Sequence, residues 1–267
     1  MQDISSLISE ELNLVNSELN NIDLFNNELG KALQKFLTSS SKQIRSKISL
    51  LYLKAFNTKI SENSIKIISA GEIIHNASLL QDDIIDNADT RRGETTIGVK
   101  YSKNISILSG DFLLSVAIKK LLSINNTRIL DIFLECTQAM CKSEVEQYFL
   151  RGNKPELDNY INICIGKTAK LFEAILESCA ISEGIDIKNT KQFALNFGIY
   201  FQLKNDLEKE SSLADKKNKI YTPKDFLGIE KTLILIDNYQ KKIRRDIGNL
   251  PDNSYKKGLE DLIIGLW

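Results

Sequence analysis

Proline is nearly absent from this chain: of 267 residues, only Pro155, Pro223 and Pro251 are proline. Proline breaks helices because it lacks the amide hydrogen and its ring collides with the preceding turn. Nothing before Pro155 stops a helix by that route, so long uninterrupted helices are permitted through the first half. The apolar pattern fits this. From Ile60 to Asp89, Ile65, Ile68, Ile73, Leu79, Leu80, Ile84 and Ile85 recur at helix-compatible intervals or as adjacent pairs. That spacing suits one long core helix rather than alternating strand faces. Further helical stretches read as about 3–20, 22–39, 41–57, 104–123, 127–151, 156–183, 189–209, 226–248 and 253–266. No pair of β-branched runs is joined by an Asn-Gly or Asp-Gly hairpin signal. Turn punctuation falls at Arg91–Thr96, Asn125–Asn126, Gly152–Pro155, Ala214–Pro223 and Asn249–Asn253. There is no internal repeat and no low-complexity tail. The expectation is one all-α domain over residues 1–267.

Charge narrows the class of partner. Lys and Arg number 35, as do Asp and Glu, so the formal net charge is zero and no global field draws the chain to nucleic acid. Basic residues matter only where they cluster locally. Cys136, Cys141, Cys164 and Cys179 form no CxxC pair, and one histidine completes no familiar zinc spacing with them. Buried thiols in a reducing compartment are expected. No run approaches about 18 uncharged apolar residues, so no membrane span is expected. Residues Met1 to Glu10 lack the basic and apolar regions of a secretory leader. These features point to a cytoplasmic protein.

Chemistry is concentrated in Leu80-Gln81-Asp82-Asp83-Ile84-Ile85-Asp86. Asp82 and Asp86 are four apart, hence neighbours on one helical face, and Asp83 flanks them. Carboxylates this close repel one another. A hard divalent cation removes the conflict, and Mg²⁺ prefers one or two carboxylates together with waters and phosphate oxygens. A solvated acidic turn is the alternative. Arg91-Arg92-Gly93 follows, and two adjacent arginines suit either phosphate anchoring or a salt-bridged helix end. His75 precedes Asp82 by seven residues, two turns back on the same face, where it can act as a phosphate hydrogen-bond donor. A second polar face carries Gln202, Asn205, Asp206 and Lys209, spaced three, four and seven apart. Gly166-Lys167-Thr168-Ala169-Lys170 interrupts an otherwise helical run. A helix break there would turn backbone carbonyls and a hydroxyl towards a cavity.

Taken in order, these residues resemble the trans-isoprenyl diphosphate synthase (polyprenyl synthetase) family, from about Ser40 to Leu266. The family's first aspartate-rich motif and its arginine tail match Asp82-Asp83-Ile84-Ile85-Asp86 and Arg91-Arg92-Gly93. Its Glu-x-x-His matches Glu72-Ile73-Ile74-His75, and its Lys-x-x-Arg matches Lys42 and Arg45. There Ser40 and Ser41 replace the usual glycines, and Ser46 the usual proline. Ser109 to Leu114, Glu144 with Gln147, Lys167-Thr168 and Phe201-Gln202 match later segments. The second aspartate-rich motif departs: the family has Asp at Asn205 and Lys209, and only Asp206 is retained.

The resemblance implies an isoprenoid synthase fold, a single-domain bundle of ten or more helices around a central cavity, assembled as a homodimer. It implies condensation of isopentenyl diphosphate with an allylic diphosphate, supported by two or three Mg²⁺ ions. Asp82, Asp83, Asp86, Asn205 and Asp206 would serve the metal. Lys42, Arg45, His75, Arg91, Arg92 and Lys219 would hold the substrates, with Lys216 or Lys217 as alternatives to Lys219. Lys167, Thr168 and Gln202 would act on the reacting centre. Ala77 and Ser78, small residues five and four before Asp82, leave room for a product of C20 or longer. Two other readings compete. Asn205 and Lys209 suit a non-catalytic or regulatory subunit of a heteromeric synthase. A class I terpene cyclase would want Ser or Thr at 209 and an acid at 213, where this chain has Lys209 and Leu213.

Overall fold

The structure is a computed structural model that describes residues 4–38, 43–56, 59–208 and 218–265. Among these residues the chain is almost wholly helical, as its periodicity requires. The helices are α1 (Ile4–Leu7), α2 (Ser9–Asn20), α3 (Glu28–Thr38), α4 (Ile44–Ala55), α5 (Glu62–Ile85), α6 (Ile97–Lys100) and α7 (Lys103–Leu122). They continue as α8 (Thr127–Leu150), α9 (Leu157–Cys164), α10 (Lys170–Glu183), α11 (Ile187–Glu208), α12 (Pro223–Phe226), α13 (Ile229–Gly248) and α14 (Ser254–Ile264). The chain divides into two compact units. The first comprises Met1–Leu130, Ile181–Gly184 and Leu250–Trp267; the second comprises Asp131–Ala180 and Ile185–Asn249.

In the first unit α5 is the core element. Ile65, Ile67, Ile68, Ile73 and Leu80 are buried, and among its polar residues Ser69 Oγ donates to the Lys66 carbonyl at 2.9 Å and Asn76 Nδ2 to the Glu72 carbonyl at 2.8 Å. Its start is fixed by Ser61, whose hydroxyl accepts the Ser64 N–H at 3.2 Å. The Glu183 carboxylate accepts the Ser61 N–H at 2.9 Å and the Ser61 and Ser64 hydroxyls at 2.6 and 2.5 Å. Helix α7 lies along α5 at close range because position 110 is glycine. A Cβ there would stand 3.2 Å from both the Ala77 carbonyl oxygen and Gln81 Cγ. Ser106 Oγ donates to the Leu80 carbonyl at 3.0 Å and ties the same pair of helices.

Periodicity suggests that this helix continues to Asp89, but it ends at Ile85. Asn87 adopts φ 49, and the Ala88 N–H closes onto the Asp83 carbonyl at 2.9 Å, so orphan carbonyls of the last turn are capped. A two-residue antiparallel ladder follows, pairing Thr90 with Thr95 and Arg91 with Glu94. Arg92 (φ 52) and Gly93 (φ 80) form its turn, both in the positive-φ region that tight hairpins demand. The sequence offers no Asn-Gly or Asp-Gly here, and two paired residues are too few to show alternation. The hairpin was therefore not legible from pattern.

The second unit is organised by a short π-helical segment, Ile165–Ala169, between α9 and α10. Gly166 and Gly198 explain its seat. A Cβ at Gly166 would fall 1.9 Å from Ser143 Oγ on α8, and one at Gly198 on α11 would fall 2.4 Å from Ala169 Cα. Only hydrogen fits at these two crossings. Phe193, Phe197 and Phe201 stack at successive i, i+4 positions of α11, with centroids 6.1 and 6.2 Å apart. Phe172 packs edge-on against Phe197 and Phe201. This ladder sets the rotation of α11 and hence where Gln202 and Asp206 point.

Candidate functional site

In the first unit the C-terminal turn of α5 carries the acidic motif. Asp82 and Asp86 are partly exposed one turn apart, whereas Asp83 is 2% exposed. Arg91 Nε donates to Asp83 Oδ1 at 2.5 Å. Burial pushes the Asp83 carboxyl above its ordinary value, and the Arg91 charge works against that rise. The hairpin aims both arginines back towards α5. Arg92 also lies over the Phe36 ring, 5.9 Å from its centroid.

Cations gather around His75. Its imidazole is pushed well below its ordinary value, first by burial and then by the positive fields of Arg45, Arg92 and Arg91. Arg92 is likewise lowered by burial and by Arg91, while Glu72 and Asp83 oppose the fall. Glu72 is buried and is held in place by Ser46, whose N–H and hydroxyl donate to Glu72 Oε1 at 3.1 and 2.6 Å. Three guanidinium groups around a neutral imidazole form a site whose net positive field an anion relieves, and guanidinium forks match diphosphate oxygens.

Among the described residues no three His, Cys, Asp or Glu side chains converge as a ready-made metal cage. The Asp82 and Asp86 pair still suits Mg²⁺. This ion takes one or two carboxylates and completes its shell with water and phosphate oxygens rather than with protein alone.

The second unit holds the other candidates. Lys167, on the π-helical segment, pairs with Glu144 and donates to Gln147 Oε1 at 2.9 Å. Thr168 Oγ1 donates to Gln202 Oε1 at 2.9 Å, and Gln202 Nε2 donates to Asp206 Oδ1 at 2.9 Å. The Tyr160 hydroxyl donates to Asp206 Oδ2 at 2.6 Å. Burial, together with the charge of Asp206, pushes the Tyr160 phenol well above its ordinary value, so it remains a donor. Cys164 is raised too, chiefly by burial, and stays a thiol. Cys136 and Cys179 are buried as expected, but Cys141 is exposed on α8. Asn205 is partly buried beside Asp206 on α11.

Lys219 adopts φ 54, and its carbonyl accepts the Gly152 N–H at 3.0 Å. Nearby, Gln147, Arg151, Tyr160 and Tyr221 line a small hollow of about 30 Å³. Lys42, Lys209, Lys216 and Lys217 lie outside the described residues.

The structure thus brings Arg45, His75, Asp82, Asp83, Asp86, Arg91 and Arg92 together in the first unit. It joins Thr168, Gln202 and Asp206 by hydrogen bonds in the second, where Lys167 is tied to Glu144 and Gln147. Sequence reasoning missed Tyr160. Its signal was spacing: seven residues before Lys167, on the face that also carries Ile163 and Cys164.

A family model for polyprenyl synthetases matches residues 26–258. A decaprenyl-diphosphate synthase of Dictyostelium discoideum is 30% identical over 236 residues, 84% of this chain and 51% of that protein. The octaprenyl diphosphate synthase of Escherichia coli is 29% identical over 211 residues, 77% of this chain and 62% of that protein. The chain therefore spans only about half to three-fifths of these relatives. Among solved structures, a polyprenyl synthase from Caulobacter crescentus, complexed with calcium and isoprenyl diphosphate, superposes with a TM-score of 0.86 at 22% identity. That match covers 97% of this chain and 95% of the other, and shows a shared fold. No helix among the described residues is long and apolar enough to cross a membrane.

Proposed function

The chain belongs to the polyprenyl synthetase family, and on that premise we propose that it is a trans-prenyltransferase that condenses isopentenyl diphosphate with an allylic diphosphate. One observation carries the reading: Arg45, Arg91 and Arg92 converge on His75 in the unit where Asp82 and Asp86 stand one turn apart. A diphosphate answers both features, its charge to the guanidinium groups and its oxygens to a carboxylate-held cation. The relatives named for long products, decaprenyl and octaprenyl, support a chain of C20 or more.

In this reading both units form one catalytic domain, and the protein acts as a cytoplasmic homodimer. Arg91, oriented by Asp83, holds the allylic diphosphate. Arg92, Arg45, Lys42 and neutral His75 hold isopentenyl diphosphate, His75 through its one N–H. Asp82 and Asp86 would hold Mg²⁺, with Asn205 and Asp206 as a second candidate set, two or three ions in all, and the metal would supply Lewis-acid stabilisation of the departing diphosphate. Lys167 and Lys219 add fixed positive charge to that diphosphate. Thr168 and Gln202 offset the charge of the allylic cation, and apolar walls keep water from it. The isopentenyl double bond then attacks, and the released diphosphate removes the proton, so no side-chain base is needed.

The test is product analysis after incubating the purified protein with Mg²⁺, isopentenyl diphosphate and farnesyl diphosphate. Elongated diphosphates are expected. Release of hydrocarbon would instead make the chain a terpene cyclase. Inertness alone, relieved by a partner chain, would make it a subunit of a heteromeric synthase.

A further inference from the structure

We propose that Tyr160 is a positioning residue that fixes the sense of a hydrogen-bond relay running from Asp206 through Gln202 to Thr168. The relay leaves the Thr168 oxygen, not its hydrogen, available to the reacting carbon skeleton. This deepens the condensation reading above and rests on it for the identity of that skeleton.

The sense follows from the donors and acceptors present. An ionised carboxylate only accepts, and a primary amide presents one acceptor end and one donor end that can exchange by a half-turn. Gln202 alone has no reason to prefer either orientation. Asp206 Oδ1, 2.9 Å from Gln202 Nε2, makes the choice: the NH₂ faces Asp206 and the carbonyl faces Thr168. Thr168 has one hydroxyl hydrogen, and it goes to Gln202 Oε1 at 2.9 Å. What Thr168 retains is lone pairs, the polarity that a developing carbocation favours. Thr168 sits in the π-helical segment, whose widened turn departs from regular helical spacing, a feature that recurs at functional sites.

Tyr160 secures the anchor. Its hydroxyl occupies Asp206 Oδ2 at 2.6 Å, so the carboxylate cannot rotate to offer Gln202 a different oxygen or distance. A phenol bonded to a carboxylate donates and cannot reverse the sense. The ring is itself fixed, 7% exposed and packed 5.8 Å from the Phe226 ring. The departures at Asn205 and Lys209 leave Asp206 as the one acid at the three aspartate positions of this motif.

Tyr160→Phe tests this, since it keeps the ring and removes only the hydroxyl. Turnover in the condensation assay is expected to fall roughly five- to tenfold, the worth of one hydrogen bond. Both diphosphate KM values should stay within about twofold, because Tyr160→Phe leaves the Asp206 carboxylate and every residue assigned to the diphosphates in place. In parallel, hydrogen exchange of the Gln202 side-chain amide, assigned by its loss in Gln202→Leu, should be slow in the wild type and faster in Tyr160→Phe. Unchanged turnover and exchange would overturn the proposal, as would a loss confined to KM. So would wild-type amide hydrogens that exchange at the rate of free glutamine, whatever the variant does. A wild type that protects this amide but elongates nothing would sink the condensation reading and leave the relay standing.

Discussion

His75 is the single histidine of the chain, and it stands among Arg45, Arg91 and Arg92. Burial and those three charges keep its imidazole neutral in the folded protein. The unfolded chain has no such restraint and takes up a proton near pH 6.5. Stability is therefore full above that pH and declines as pH falls below it, since the unfolded state then binds a proton that the folded state refuses. The thermal midpoint of the wild type should drop more between pH 7.5 and 5.5 than that of His75→Gln. Equal drops would show that His75 carries no shifted proton. At this scale the sequence disclosed residue types and spacing but not pairing. Asp83 looked like a sibling of Asp82 and Asp86. Yet a position one residue round the helix is enough to bury it and give it to Arg91. Ser46, a departure from the family's proline, turns out to supply two donors to Glu72, which proline has no means to do.

The π-helical segment is held between α8 and α11 by two glycines, and their substitutions should differ. Gly198→Ala would drive a Cβ into the Ala169 backbone, which cannot rotate away, and should cost about 1–3 kcal/mol in a denaturant titration. Gly166→Ala meets Ser143 Oγ, which another rotamer can move, and then Ser143 Cβ at 2.8 Å and the Ala139 carbonyl oxygen at 3.0 Å, a milder clash than that at Gly198, and should cost less. The reverse order would mean that the segment is not seated on α11 as described. Along α5, Ala77 is buried and Ser78 is half-buried, with Gly110 of α7 close to the Ala77 carbonyl. If the growing chain runs past this turn, Ala77→Phe should shorten the product below the wild-type length, read by chromatography of the dephosphorylated alcohols. A wild type that stops cleanly at C15 contradicts the chain-length reading. Long helices were legible because a 3.6-residue apolar period with no proline leaves few alternatives. Their ends were less so, because the left-handed Asn87 that caps α5 lies outside what an apolar period encodes. The break at Gly166 was visible as a lone glycine, but its π geometry depends on Ser143 and Gly198, which are distant in sequence.

For the molecule as a whole, family membership and fold agree with the ordered motif set, and the second aspartate-rich motif is where this chain is individual. Helix α8 leaves Leu134, Val145, Tyr148 and Phe149 exposed along one length, an apolar surface consistent with the homodimer proposed above. The central claim is that Asp82 and Asp86, through a divalent cation, hold the diphosphate for condensation. The direct measurement is incorporation of labelled isopentenyl diphosphate into farnesyl diphosphate at increasing Mg²⁺, by the wild type and by the Asp82→Asn/Asp86→Asn double variant. The account predicts that wild-type incorporation rises to saturation with Mg²⁺ and vanishes with chelator, and that the double variant falls by about a hundredfold or more. Incorporation that ignores Mg²⁺, or that survives in the double variant at the wild-type rate, would contradict it.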